Sequence, residues 1–167
     1  MPNMKSPLNL IVKLATLKSS RMKVICLILI SIVTSLSLSA SAVPLAVTDA
    51  PGGGDLTLFD GTRGAPIFVE TNADEAVLRA AGDLAEDFAR VTGTKPEMEK
   101  QISPNQKVHI IIGTLGQSKL IDQFAAQGKL DTNGISGQWE SYVLQIVTNP
   151  LPNVDRALVI AGSDRRG

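Results

Sequence analysis

The chain has 167 residues, enough for one domain of ordinary size. Its formal net charge of zero hides an uneven distribution: all 16 acidic residues follow Ala42, together with eleven basic ones, so that part carries −5. An acidic domain without a basic stripe repels phosphate backbones, which excludes nucleic acid as a partner.

The first element in chain order is a targeting segment. Val24 to Val33 (VICLILISIV) is a short apolar run preceded by Arg21 and Lys23 and followed by Ala40-Ser41-Ala42. A basic flank, a short apolar core and an Ala-x-Ala ending describe a secretory signal peptide over 1–42, cleaved after Ala42, with Ala40 and Ala42 as the small residues of the site. The run is too short for a stable membrane anchor, which needs about 20 residues. The acid-free stretch from Met1 to Arg21 also has the character of a mitochondrial presequence, and Met22 is a second candidate start that would give a more compact signal. Export, and hence a secreted protein, is the expectation. Cys26, the only cysteine, falls inside this segment, so the part after Ala42 has no disulfide and no thiolate metal site.

Residues 43–55 read as a linker ending in Gly52-Gly53-Gly54. No strand precedes this triplet and no Gly-Lys-Ser/Thr follows, so it is not a phosphate cradle. Leu56–Phe59 and Ile67–Glu70 read as short strands. A helix is expected from about Ala73 to Thr92, where Val77, Ala81, Leu84, Phe88 and Val91 form one apolar stripe. Asn72 is its expected cap, with Glu75 three residues on, and Gly93 and Pro96 mark its stop. Its acidic neighbours, Asp74–Glu75 and Glu86–Asp87, do not face one another and belong to a solvated face.

Lys107–Ile112 predicts a strand, then a helix capped by Ser118, running through Gln127 and closed by Gly128. The turn between them fits neither a nucleotide-binding loop nor a dinucleotide fingerprint. His109, the only histidine, sits in the apolar strand, where an imidazole reads as structural. One histidine supplies neither a His-based metal site nor, in that place, a catalytic triad. Trp139–Val147 and Ala157–Ala161 complete the pattern as an antiparallel pair around the Asn149–Asn153 turn. The arrangement implied is an α+β domain over 56–167: a mixed β-sheet with two helices packed on one face. The strands flanking the first helix should run parallel with a right-handed crossover. No catalytic, cofactor-binding or metal-binding residue emerges.

Several stretches resemble the N-terminal accessory domain of the xylan α-1,2-glucuronidases of glycoside hydrolase family 115. They are Ile111–Ser118, Leu120-Ile121-Asp122, Gly128–Asp131, Gly137–Tyr142, Asn149–Pro152 and Ala157–Gly167. The helix ending Val91-Thr92-Gly93 is more loosely similar to the domain preceding the barrel in β-hexosaminidases. The resemblance implies a non-catalytic domain, without cofactors, that scaffolds a catalytic barrel beginning after Gly167. The full-length enzyme would remove 4-O-methylglucuronic acid from xylan. Since the catalytic carboxylates of that family come from the barrel, none carries over to this chain. On this reading Ser163, Asp164, Arg165 and Arg166 are the inter-domain contact. Asp164 accepts backbone hydrogen bonds, and an arginine reaches the barrel.

The alternative is a stand-alone secreted module that binds polysaccharide or another protein. Trp139 and Tyr142 are its candidate platform, but on one strand a spacing of three puts them on opposite faces and at least one in the core. The signal reading predicts that secreted material begins at Val43, checked by mass spectrometry of the mature N-terminus. Retention of Met22–Val33 in a membrane fraction would overturn it.

Overall fold

A computed structural model describes residues 46–48, 52 and 54–167. The expected signal segment, with Ala40 and Ala42, and much of the expected linker lie outside the described residues. Among the described residues no helix is long and apolar enough to cross a membrane.

Seven elements follow in order: β1 (Ile67–Val69), α1 (Glu75–Thr92), β2 (Met98–Glu99), β3 (Val108–Thr114), α2 (Lys119–Ala126), β4 (Tyr142–Leu151) and β5 (Val154–Gly162). They build a mixed five-stranded sheet in the order β2-β1-β3-β5-β4. β1 pairs in parallel with β2 and β3, β3 pairs in parallel with β5, and β4 is antiparallel to β5. A mixed sheet with two helices is the expected class, and β1 and β3 are parallel as expected.

The placement of the helices corrects the expectation that both lie on one face. Ala81 and Ala85 of α1 pack with Ile67, Val69, Ile110 and Leu158. Ile121 and Phe124 of α2 pack with Phe68, Ile111, Val159 and Ala161. Odd and even positions of the same strands thus serve different helices, so the helices flank the sheet on opposite faces. The cause is topological. The chain leaves β1 through α1 toward β2 at one edge, and leaves β3 through α2 toward the β4–β5 side. With right-handed crossovers, reversing the direction of travel reverses the face covered.

Other corrections are local. Leu56–Phe59 is not a strand; Phe59 makes a single antiparallel bridge with Gly64. Helix α1 is capped by Asp74, not Asn72: the Asp74 side chain accepts from Ala76 N–H at 2.9 Å. Val91, assigned to the apolar stripe, is 86% exposed, and Ala85 is buried instead. Trp139 precedes β4, which runs on to Leu151 through a register shift between Thr148 and Leu151. Gly93 stops α1 with φ 76° and Ser118 caps α2 as anticipated, accepting from Ile121 N–H at 3.2 Å.

Gly113 is where α2 meets the sheet. A β-carbon there would lie 2.8 Å from Ser118 Cβ and 2.8 Å from Ile121 Cγ1. Neither neighbour has room to yield, because Ser118 is held as the cap and Ile121 is fully buried. Gly113→Ala should destabilise the fold by about 1–3 kcal/mol, the usual cost of overpacking, read as a lower urea midpoint with unchanged slope.

Candidate functional site

In an open α/β sheet the natural ligand crevice lies beyond the carboxyl ends of adjacent parallel strands whose connections leave in opposite directions. Here that point falls between β1 and β3. Glu70, Ala73, Gly113, Thr114, Gln117 and Ser118 are among the residues lining it, around a cavity of about 10 Å³. That is room for one water. The chain fills the crevice itself: Glu70, immediately after β1, accepts from Lys119 N–H at 3.3 Å and Leu120 N–H at 3.1 Å. Its carboxylate occupies the anion seat at the N-terminus of α2. Asp122 fixes the preceding turn by accepting from Gly116 N–H at 2.7 Å.

A second, wider cleft of about 480 Å³ opens at the other end of the sheet, lined by Gln123, Gln127, Lys129, Asn149, Pro152 and Asp155, among others. Lys129 spans it, its ammonium donating to the carbonyls of Asn149 and Pro150, both at 3.0 Å. Asp155 is the sole carboxylate in its lining. Glycoside hydrolysis by the usual route needs two, one as acid and one as nucleophile or base. The paired acids of α1 are no substitute, since Asp87 and Glu86 make exposed ion pairs with Arg90 and Lys95. Among the described residues no three His, Cys, Asp or Glu side chains gather where they could hold a metal ion.

The C-terminal segment is the most organised polar feature. Asp164 accepts from the N–H groups of Glu140 at 3.0 Å, Arg166 at 2.8 Å and Gly167 at 3.1 Å. These bonds hold its carboxyl below the usual carboxylate range, the Glu140 N–H contributing most. Ser163 N–H donates to the Ser141 carbonyl at 2.7 Å, and Ser163 Oγ accepts from Ser141 N–H at 3.1 Å. Gly167 lies so close to Ser141 that a β-carbon would collide with the Ser141 carbonyl oxygen.

The result is a clasp of 163–167 over 139–141. Both arginines have an acidic neighbour in the domain. Arg166 pairs with Glu140 at 2.7 Å and lies 5.8 Å from the centre of the Trp139 ring, while Arg165 approaches Asp74 at 3.9 Å. The side chains of both arginines remain more than half exposed. Trp139 and Tyr142 are 74% and 62% exposed, which corrects the expectation that one of them is core. The parity argument fails because Trp139 stands outside the strand, before Glu140 with its φ of 52°.

His109 is fully buried, with Nε2 3.2 Å from Glu99 Oε2 and no aligned hydrogen bond to either ring nitrogen among the described residues. Burial pushes its pKa below the ordinary value, against the opposing pull of Glu99. The folded protein therefore keeps the imidazole neutral where the unfolded chain takes a proton. Stability is full above about pH 6.5 and falls as pH drops below it. The loss should not exceed about 1.4 kcal/mol per pH unit from this group. In urea titrations between pH 7.5 and 5.5, His109→Gln should flatten that slope.

No protein-family model matches the chain, and no curated protein matches it. Among solved structures, the chain is similar to part of a family GH115 4-O-methyl-α-glucuronidase with specificity for decorated arabinogalactans. That match has 26% sequence identity and a TM-score of 0.46, and it covers 63% of this chain. It spans 12% of that enzyme's length.

Proposed function

We propose that this domain is a non-catalytic part of a secreted glycoside hydrolase that removes (4-O-methyl)glucuronic acid side chains from xylan. In this reading it scaffolds a catalytic barrel joined beyond Gly167. The observation that carries the proposal is the clasp. Asp164 spends its carboxylate on three backbone N–H groups, and Ser163 locks onto Ser141. Chemistry is not what such an arrangement serves: a carboxylate so occupied is a poor general acid or base, because its protonation costs three hydrogen bonds. It serves to fix the direction of a chain. Arg165 and Arg166 are held on that fixed segment with side chains more than half exposed, and the N–H groups not directed at Asp74 and Glu140 suit contact with carboxylates or carbonyls of a neighbouring domain. The stretches that resemble family 115 run through this same segment and support an enzyme context.

A second reading has one observation in its favour. Trp139 and Tyr142 are both exposed beside the clasp, and aromatic faces are what a stand-alone polysaccharide-binding module would offer. Affinity electrophoresis in glucuronoxylan separates the two: retardation abolished by Trp139→Ala favours the binding module.

The test of the first reading has two arms. The chain alone should release no glucuronic acid from glucuronoxylan at high concentration and long incubation. The polypeptide extended by the sequence encoded after Gly167 should do so. In that longer protein Asp164→Ala should lower the melting temperature while turnover per folded molecule stays near normal. Turnover by the chain alone, or loss of activity in Asp164→Ala with an unchanged melting temperature, would refute the scaffold role.

A further inference from the structure

The two edges of the sheet differ sharply. One is β2, two residues long. The other is β4, ten residues long, from Tyr142 to Leu151. Short edges resist pairing with other chains; long, flat, apolar ones invite it unless something blocks them.

The ladder geometry shows which groups of β4 are unused. Ser163 N–H donates to the Ser141 carbonyl, so the Ser141–Ser163 pair faces inward. Bonded and non-bonded pairs alternate in an antiparallel ladder. Given the register Tyr142↔Gly162 to Thr148↔Arg156, the residues Tyr142, Leu144, Ile146 and Thr148 aim their N–H and C=O groups away from β5. The Gly162 carbonyl, bonded instead to Leu115 N–H, agrees with that phase. Among the described residues none of these outward backbone groups has a backbone partner. The same four positions place their side chains on the α1 face, where Ile146 packs against the core cluster that α1 covers while Tyr142 is 62% and Leu144 40% exposed.

None of the usual protections against edge pairing occurs in this stretch. Tyr142–Thr148 reads YVLQIVT, with no charge, no proline and no glycine. The register shift and Pro150 begin only after it. It has the make-up of a strand that pairs with copies of itself.

We propose that the free edge of β4 pairs, antiparallel and about a two-fold axis, with β4 of a second copy of this chain. The argument for a second copy is self-complementarity. A two-fold axis at Gln145 sets Leu144 opposite Ile146 of the other copy and Tyr142 opposite Thr148. Outward-facing backbone groups then meet outward-facing groups, and no like charges meet. Each of the four residues satisfies both its N–H and its C=O, and the two sheets become one. The inference goes beyond the scaffold role and does not depend on it.

The experiment is sedimentation velocity on the purified chain with residue-resolved amide exchange. The expected result is a dimer in which the amides of Tyr142, Leu144, Ile146 and Thr148 exchange as slowly as those of Val143, Gln145 and Val147, which β5 protects in any case. Leu144→Lys should give a monomer with unchanged circular dichroism in which only the outward set exchanges fast. Should that variant fail to fold, Tyr142→Lys, at a more exposed position, replaces it. A wild-type monomer overturns the proposal, as does a dimer whose outward amides exchange fast. Slow outward amides in a monomer would also overturn it, by assigning the edge to another segment of the same chain.

Discussion

Everything in this fold hangs on β3 having two covered faces. It is the central strand, parallel to β1 on one side and β5 on the other, with Ile110 and Ile111 both fully buried and pointing opposite ways. Parallel strands in this position need apolar cover on both sides. A single layer of helices cannot supply it, so α1 and α2 must part to opposite faces. Once they do, the carboxyl ends of β1 and β3 form a crevice, α2 starts above it, and Gly113 must lack a side chain for the helix to seat. Glu70 then finds two amide donors waiting at the end of its strand.

That requirement was written in the sequence more plainly than the one-face arrangement allowed. In Val108-His109-Ile110-Ile111-Ile112 three consecutive isoleucines override any alternation between apolar and polar, and such a run is the mark of a strand buried on both sides. Local signals are legible where one residue decides: Gly93 takes the left-handed conformation that ends α1, and Ser118 caps α2. Elements that depend on partners were not legible. β2 is two residues whose strand character comes from pairing with Ile67 and Phe68, a contact with no local pattern. The start of β4 is hidden because Gln138-Trp139-Glu140 has apolar and polar residues in strand-like order, whereas Glu140 breaks the strand with a positive φ.

The polar features divide in the same way. Asp164 as an acceptor for backbone N–H groups was implied by the resemblance alone, and the chain folds back to supply three of them. Glu70 was missed. Its signal was a lone acid at the end of the apolar strand Ile67-Phe68-Val69, but its partners, Lys119 and Leu120, lie about fifty residues away and no spacing rule links them. The exposure of Trp139 and Tyr142 is likewise a tertiary fact: Trp139 stands outside β4, and Tyr142 begins the edge strand.

The position of β5 has a consequence for how the chain is made. It is the last of the described elements, yet it sits inside the sheet, between β3 and β4. While the polypeptide is being synthesised, β1, α1, β2, β3 and α2 can emerge and begin to pack, but one long side of β3 stays open until Val154–Gly162 arrives. The hairpin partner β4 cannot close that gap, because its place is one strand further out. Domains fold as units, the N-terminal parts first to appear; here the unit is completed only once its last strand has been translated. The nascent domain therefore passes through a stage in which Ile110, Ile111 and Ile112 border an unpaired strand. In that interval a chaperone has the most to protect.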